Sequence, residues 1–190
     1  MKIIRNVLIG IICISLVVGG YYYLSNRKTA EKTDISEVQK VILKELEGDN
    51  YPATPREVVK FYNRILCCYY NESYTDEEFD KLTDQARLLM DQELADNNPA
   101  EQYSQQVRQE AENYRRQKKT INNASVCDTN EVKYATIEGA ECAYVESSYF
   151  VRSKDGFTKS FQDYILRRDA DGNWKILAFQ LKQGETAEND

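Results

Sequence analysis

Three groups of side chains in this sequence have types and spacings that bear on chemistry: a carboxylate among phenols, a set of cysteines and a short acidic run. Asp163 alternates with Phe161 and Ile165, so the three share one face of an extended segment. Tyr149 alternates with Ala143, Val145, Ser147 and Val151 on the more apolar face of the segment before it. Tyr62 and Tyr69 fall on a helical stripe with Val58 and Ile65. A carboxylate beside phenolic donors is the minimum equipment for moving a proton next to a carbonyl. The plainer arrangement puts Asp163 in solvent or against a surface arginine.

Of the five cysteines, Cys13 falls in an apolar N-terminal run, which leaves Cys67, Cys68, Cys127 and Cys142. An even count fits disulfides outside the cytoplasm. Cys67 and Cys68 are neighbours on one helix and cannot both face a core. Cys127 and Cys142 fall in neighbouring strand-like segments where a ladder can join them, so they form the candidate disulfide, with buried or free thiols as the alternative. The chain has no histidine, which removes the usual general base near neutral pH and the commonest metal ligand. With no C-x-x-C pair either, no metal and no cofactor is expected. Asp169, Asp171 and Asn173 imitate the start of a calcium loop, but Gly172 is misplaced and Gln180 stands where the closing Glu belongs, so a hairpin turn is expected. Phosphate loops, nucleophile elbows and dinucleotide fingerprints are absent from the sequence.

The elements that must position these residues are legible from caps and periodicity. Asp34 with Glu37 opens a short amphipathic pattern through Val38, Val41 and Leu46, read as a juxtamembrane helix and linker over residues 29–53. Thr54, Pro55 and Glu57 form a helix start with a capping box, and Thr75 with Glu78 forms a second. The second pattern continues through Leu89, Met90 and Leu94 to Asn97, and a third helix follows from Asn98. Beyond residue 120 the period shortens and aromatic and β-branched residues dominate, with hairpin turns at 154–156 and 169–173. Helices followed by strands predict an α+β domain over residues 54–182, about three helices on an antiparallel sheet, with a polar tail at 183–190.

Lys+Arg total 25 against Asp+Glu 31, a net charge of -6. Residues 29–190 hold 21 of those cations and all 31 anions, a net acidity that opposes nucleic-acid binding and contact with anionic membrane surface. Residues 7–24 form an uncharged stretch of 18 residues flanked by Lys2, Arg5, Arg27 and Lys28. That length spans a bilayer, and no small-x-small cleavage site follows it, so an uncleaved single-pass anchor is expected within residues 1–28. Tyr21 to Tyr23 suit its interfacial end. A stub of a few residues before the span and a long acidic body after it favour a cytoplasmic N-terminus and a C-terminal domain outside the cytoplasm at the cell membrane.

A helix opening TPREVVKFYNRIL, further helices, then strands ending YILRRDADGNWKILAFQL resembles the nuclear-transport-factor-like superfamily, which includes SnoaL-type and ketosteroid-isomerase-like proteins. The closing run Leu166-Arg167-Arg168-Asp169 with Asp171-Gly172-Asn173-Trp174-Lys175-Ile176 looks like the last hairpin of that cone-shaped roll. With its anchor the chain is also similar to small membrane-anchored proteins of Gram-positive bacteria. The resemblance implies a pocket between the long helix and the concave sheet, which Tyr62, Tyr69, Tyr149 and Asp163 would line. It implies no particular activity, because this fold hosts enzymes, ligand binders and interaction domains. The expected role is non-enzymatic, binding a small molecule or a protein through the cone or the sheet face, with a homodimer compatible with such a face. An assembly component of a secretion or conjugation apparatus and an isomerase or hydratase built on Asp163 are the alternatives.

Overall fold

The computed structural model describes residues 35–182. The expected anchor at 7–24, its flanking stub, Cys13 and the tail at 183–190 lie outside the described residues. Among the described residues no helix is long and apolar enough to cross a membrane. From Ser36 the described chain forms one compact α+β unit of five helices and a five-stranded antiparallel sheet.

The first helix, α1 (Glu37–Ile42), is capped by Ser36, whose hydroxyl accepts from the Gln39 N–H. Although it lies in the stretch expected to be a juxtamembrane helix and linker, it buries Val38, Val41 and the following Leu46 in the common core. Apolar residues at spacings of three and five give it one inward edge, and that edge packs on the third helix.

Helices α2 (Pro55–Asn71) and α3 (Asp76–Leu88) begin at the two expected capping boxes, each with reciprocal Thr and Glu hydrogen bonds. Such a cap contributes about 1 kcal/mol. The pattern that continues past α3 does not continue as helix. The backbone opens at Leu89 and Met90 to pair with Ile176 of the sheet: Ile176 N–H donates to the Leu89 carbonyl and Asp91 N–H to the Ile176 carbonyl, both at 2.8 Å. Asp91 then caps a separate short helix, α4 (Gln92–Asn97), and α5 (Ala100–Arg116) follows after Pro99.

The strands are β1 (Thr120–Val126), β2 (Lys133–Ile137), β3 (Ala140–Ser153), β4 (Gly156–Arg168) and β5 (Trp174–Lys182), in the order β1-β3-β4-β5. β1 and β2 lie end to end along β3, β1 against residues 147–152 and β2 against residues 140–144. A two-residue turn at Glu138 (φ 51) and Gly139 (φ 83) joins β2 to β3. Positive φ at both positions is the geometry that matches strand twist, and glycine adopts it without steric cost.

The helices cover one face of this sheet, where Val58, Ile65, Phe79, Leu82, Val145, Leu166 and Ile176 are fully buried. Both outer strands have part of their free backbone capped. Asn71 gives Ile121 a side-chain imitation of a neighbouring strand, donating to its carbonyl and accepting from its N–H at 2.8 Å each. Arg56 donates to the Cys127 carbonyl at 2.6 Å, and on the opposite edge Tyr51 donates to the Trp174 carbonyl at 2.9 Å.

Candidate functional site

Between α2 and the sheet the space is filled by phenols and one buried carboxamide. α2 contributes Tyr62, Asn63, Tyr69 and Tyr70, α5 contributes Tyr103, and the inward faces of β3 and β4 contribute Ser147, Tyr149 and Tyr164; all are buried. Their polar atoms form a directed chain. Asn63 Nδ2 donates to Ser147 Oγ at 2.8 Å, and Ser147 donates onward to the Ser125 carbonyl at 3.1 Å. Tyr149 donates to Asn63 Oδ1 at 2.6 Å. That carbonyl-type oxygen only accepts, so the 2.6 Å contact between the Tyr149 and Tyr164 hydroxyls is donated by Tyr164. The Ser125 carbonyl, also acceptor only, fixes the Asn63 amide orientation and with it every proton in the chain.

Burial pushes the phenols of Tyr62, Tyr69, Tyr103 and Tyr164 well above the ordinary tyrosine range, and the proximity of neighbouring phenols adds to the effect for each. They are neutral donors at any physiological pH. The hydroxyls of Tyr69 and Tyr103 stand beside one another without completing a hydrogen bond of ordinary geometry. The chain of bonds itself contains no carboxylate; the acid beside the neighbouring phenols is Glu110 of α5, whose charge adds to burial in pushing Tyr70 and Tyr62 up.

Asp163 lies on the other side of the sheet. On β4 the buried residues are Tyr164 and Leu166, which puts Phe161, Asp163 and Ile165 on the face away from the helices. The expected grouping of Tyr62, Tyr69 and Tyr149 with Asp163 is corrected accordingly: the three tyrosines share the interior, and the carboxylate is separated from them by the thickness of the sheet. Asp163 instead lies across the ladder from Glu146 and Gln180. There it lines a groove of about 660 Å3 with Glu131, Lys133, Tyr144, Glu146 and Gln180 among its walls. Lys182 bonds Glu146 at 2.7 Å at its rim. The groove thus sets mixed charges beside the rings of Tyr144 and Phe179.

The cysteine expectation is corrected as well. Cys67, Cys68, Cys127 and Cys142 are all free thiols. Cys127 N–H donates to the Glu146 carbonyl, four residues along β3 from Cys142, or about 13 Å at the rise of an extended strand. Disulfides need Cα atoms within about 7 Å. Burial pushes the Cys68 thiol up to about 12, far from a reactive thiolate. Among the described residues no group of three or more potential ligands is placed to hold a metal ion. The acidic run at 169–173 closes a hairpin, with the Asp169 carboxylate accepting from the Asp171 and Asn173 N–H groups at 3.0 and 2.7 Å.

Asn63 and Ser147 carry the interior chain, and neither stands out by composition. The available signal was position: Asn63 falls one turn from Val59 and two from Tyr70, a polar residue on an otherwise apolar helix face.

The chain belongs to the family described as a domain of unknown function, DUF6715, whose model matches residues 1–179. No curated protein matches the chain.

Proposed function

We propose that the chain is a single-pass, N-terminally anchored protein whose domain outside the cytoplasm is a nuclear-transport-factor-like roll that binds a partner without catalysing a reaction. The observation that carries this reading is the separation of Asp163 from Tyr62 and Tyr149 by the sheet. In the enzymes of that superfamily the interior holds an acid or base beside its donors, whereas here Asp163 faces the other way and the buried chain from Tyr164 through Tyr149, Asn63 and Ser147 contains no acid. The groove bearing Asp163, Glu146 and Tyr144 is the recognition surface in this reading. The span at 7–24 supplies location and the sheet face supplies specificity.

Native mass spectrometry of the full-length protein, released gently from its own membrane, tests the binding role. The expected result is an added mass or a homo-oligomer that disappears on Tyr144→Arg. A bare monomer that turns over a carbonyl substrate, and loses that activity on Asp163→Asn, would overturn the reading in favour of an isomerase. Labelling of intact cells with a membrane-impermeant amine reagent tests location independently.

A further inference from the structure

The charge of the domain is segregated. Residues 115–119, at the end of α5, and residues 150–160, around the β3–β4 turn, carry Arg115, Arg116, Lys118, Lys119, Arg152, Lys154 and Lys159 against a single acid, Asp155. The other described residues carry 13 cations against 25 anions. Strand register brings the two stretches together: Thr120, which directly follows the first, pairs with Arg152, and Ser153 pairs with Gly156 across the turn. Both therefore lie at one end of the sheet.

Ion pairing divides the same way. Eight of the 13 cations elsewhere sit within 4.0 Å of a carboxylate. Among the described residues none of the seven at this end has a carboxylate partner. Arg115, Lys119 and Lys159 lie instead over the rings of Tyr74, Tyr114 and Phe161, contacts that order the side chains and leave their charge uncompensated. Six of the seven are exposed. Amid them Phe150 and Phe157 stack on one another at 4.8 Å, and remain 40% and 57% exposed.

We propose that this end of the domain docks on an anionic lipid surface, with the Phe150–Phe157 pair entering the headgroup boundary and the surrounding cations lying over lipid phosphates. Exposed aromatic rings among uncompensated Lys and Arg are the composition that interfacial binding uses. A single-stranded nucleic acid would use ring faces for bases to stack on, and here each ring already gives one of its two faces to the other. The proposal rests in part on the anchored reading above, because a tether to the bilayer raises the effective concentration of lipid at a site too small to bind tightly alone.

Hydrogen exchange of the full chain in nanodiscs tests it. Two compositions are compared, phosphatidylcholine alone and phosphatidylcholine with phosphatidylglycerol. In the anionic discs amides of residues 115–120 and 150–160 exchange about tenfold more slowly than in the neutral ones, and high salt or the triple change Arg152→Glu, Lys154→Glu, Lys159→Glu removes the difference. Equal exchange in both compositions overturns the proposal, as does protection conferred by single-stranded RNA or an acidic peptide in neutral discs and not by anionic lipid. Protection at residues 7–24 reports separately on the anchor, so failure of the anchored reading and failure of the docking site give different exchange maps.

Discussion

Asn63 on α2 and Tyr149 on β3 are joined by a 2.6 Å hydrogen bond in which the phenol donates and the carboxamide oxygen accepts. The bond ties the long helix to the middle of the sheet, and because Asn63 also donates to Ser147, the one amide satisfies two strand residues. Removing it leaves both of them buried without their partner. Asn63→Ala is expected to lower stability by about 2–4 kcal/mol, and Tyr149→Phe by about 1–2 kcal/mol. The double variant loses less than the sum, since the two share one interaction. Urea unfolding followed by fluorescence of Trp174, the single and buried tryptophan, measures all three, and strict additivity would refute the coupling.

Alkali unfolds this domain through its interior. Tyr62, Tyr69, Tyr103 and Tyr164 hold raised pKa values in the fold because burial penalises the phenolate. The unfolded chain loses these protons first, so their contribution is intact below about pH 10 and falls by about 1.4 kcal/mol per group per pH unit above it. Cys68, pushed up to about 12, acts in the same direction from about pH 8.5 upward. Tyrosinate absorbance of these four should rise in one cooperative step together with loss of the circular dichroism of the fold. Gradual ionisation near the ordinary value in a folded chain would contradict the burial.

The Asp91 carboxylate performs two tasks where α3 gives way to α4. Its carboxylate, only 7% exposed, receives two bonds from Arg167 at 3.0 and 2.5 Å and one from the Glu93 N–H at 3.0 Å. Asp91→Asn keeps the cap and removes the charge that faces Arg167, and is expected to cost about 1–3 kcal/mol; Asp91→Ala removes both and is expected to cost about 3–5 kcal/mol. The difference between the two, read from urea midpoints, isolates the cap.

The thiols remain separate even under oxidising conditions. Peptide mapping of the unfolded, unreduced full chain should find Cys127 and Cys142 alkylated individually, with no crosslinked 127–142 peptide. In the folded protein the buried Cys68 and Cys142 resist alkylation, while the partly exposed Cys127 reacts slowly. A crosslinked peptide would mean that β3 and the end of β1 meet in a different register.

Much of this fold is written in local signals. Thr54 with Glu57 and Thr75 with Glu78 announce α2 and α3 because a capping box is satisfied within four residues, and the turns at 154–156 and 169–173 are equally local. The break at Leu89 is not, since Leu89, Met90 and Leu94 keep helical spacing; what ends the helix is backbone pairing with Ile176, 87 positions away from Leu89 in sequence. The face of Asp163 is not legible locally for a related reason. β4 is an interior strand with apolar residues on both faces, so Phe161 and Ile165 compete with Tyr164 and Leu166, and alternation alone does not say which set is covered. Net charge likewise hid the basic end, because a sum over the chain discards where the register puts each side chain.

The side chains that cap the outer strands restrict one route by which copies of this protein could associate. A sheet with a bare rim can accept a strand from a neighbour, that neighbour from the next, and nothing in the geometry tells the series to stop. Here Asn71 occupies Ile121, Arg56 occupies Cys127, and the Leu89–Asp91 segment occupies Ile176. Among the stretches without such a cap are β2, five residues long, and the last residues of β5, each carrying a terminal lysine. Strand addition at these capped stretches is thereby blocked, whereas a two-fold pair formed through a sheet face would consume the surface that made it and end at two copies instead of running on into a fibre.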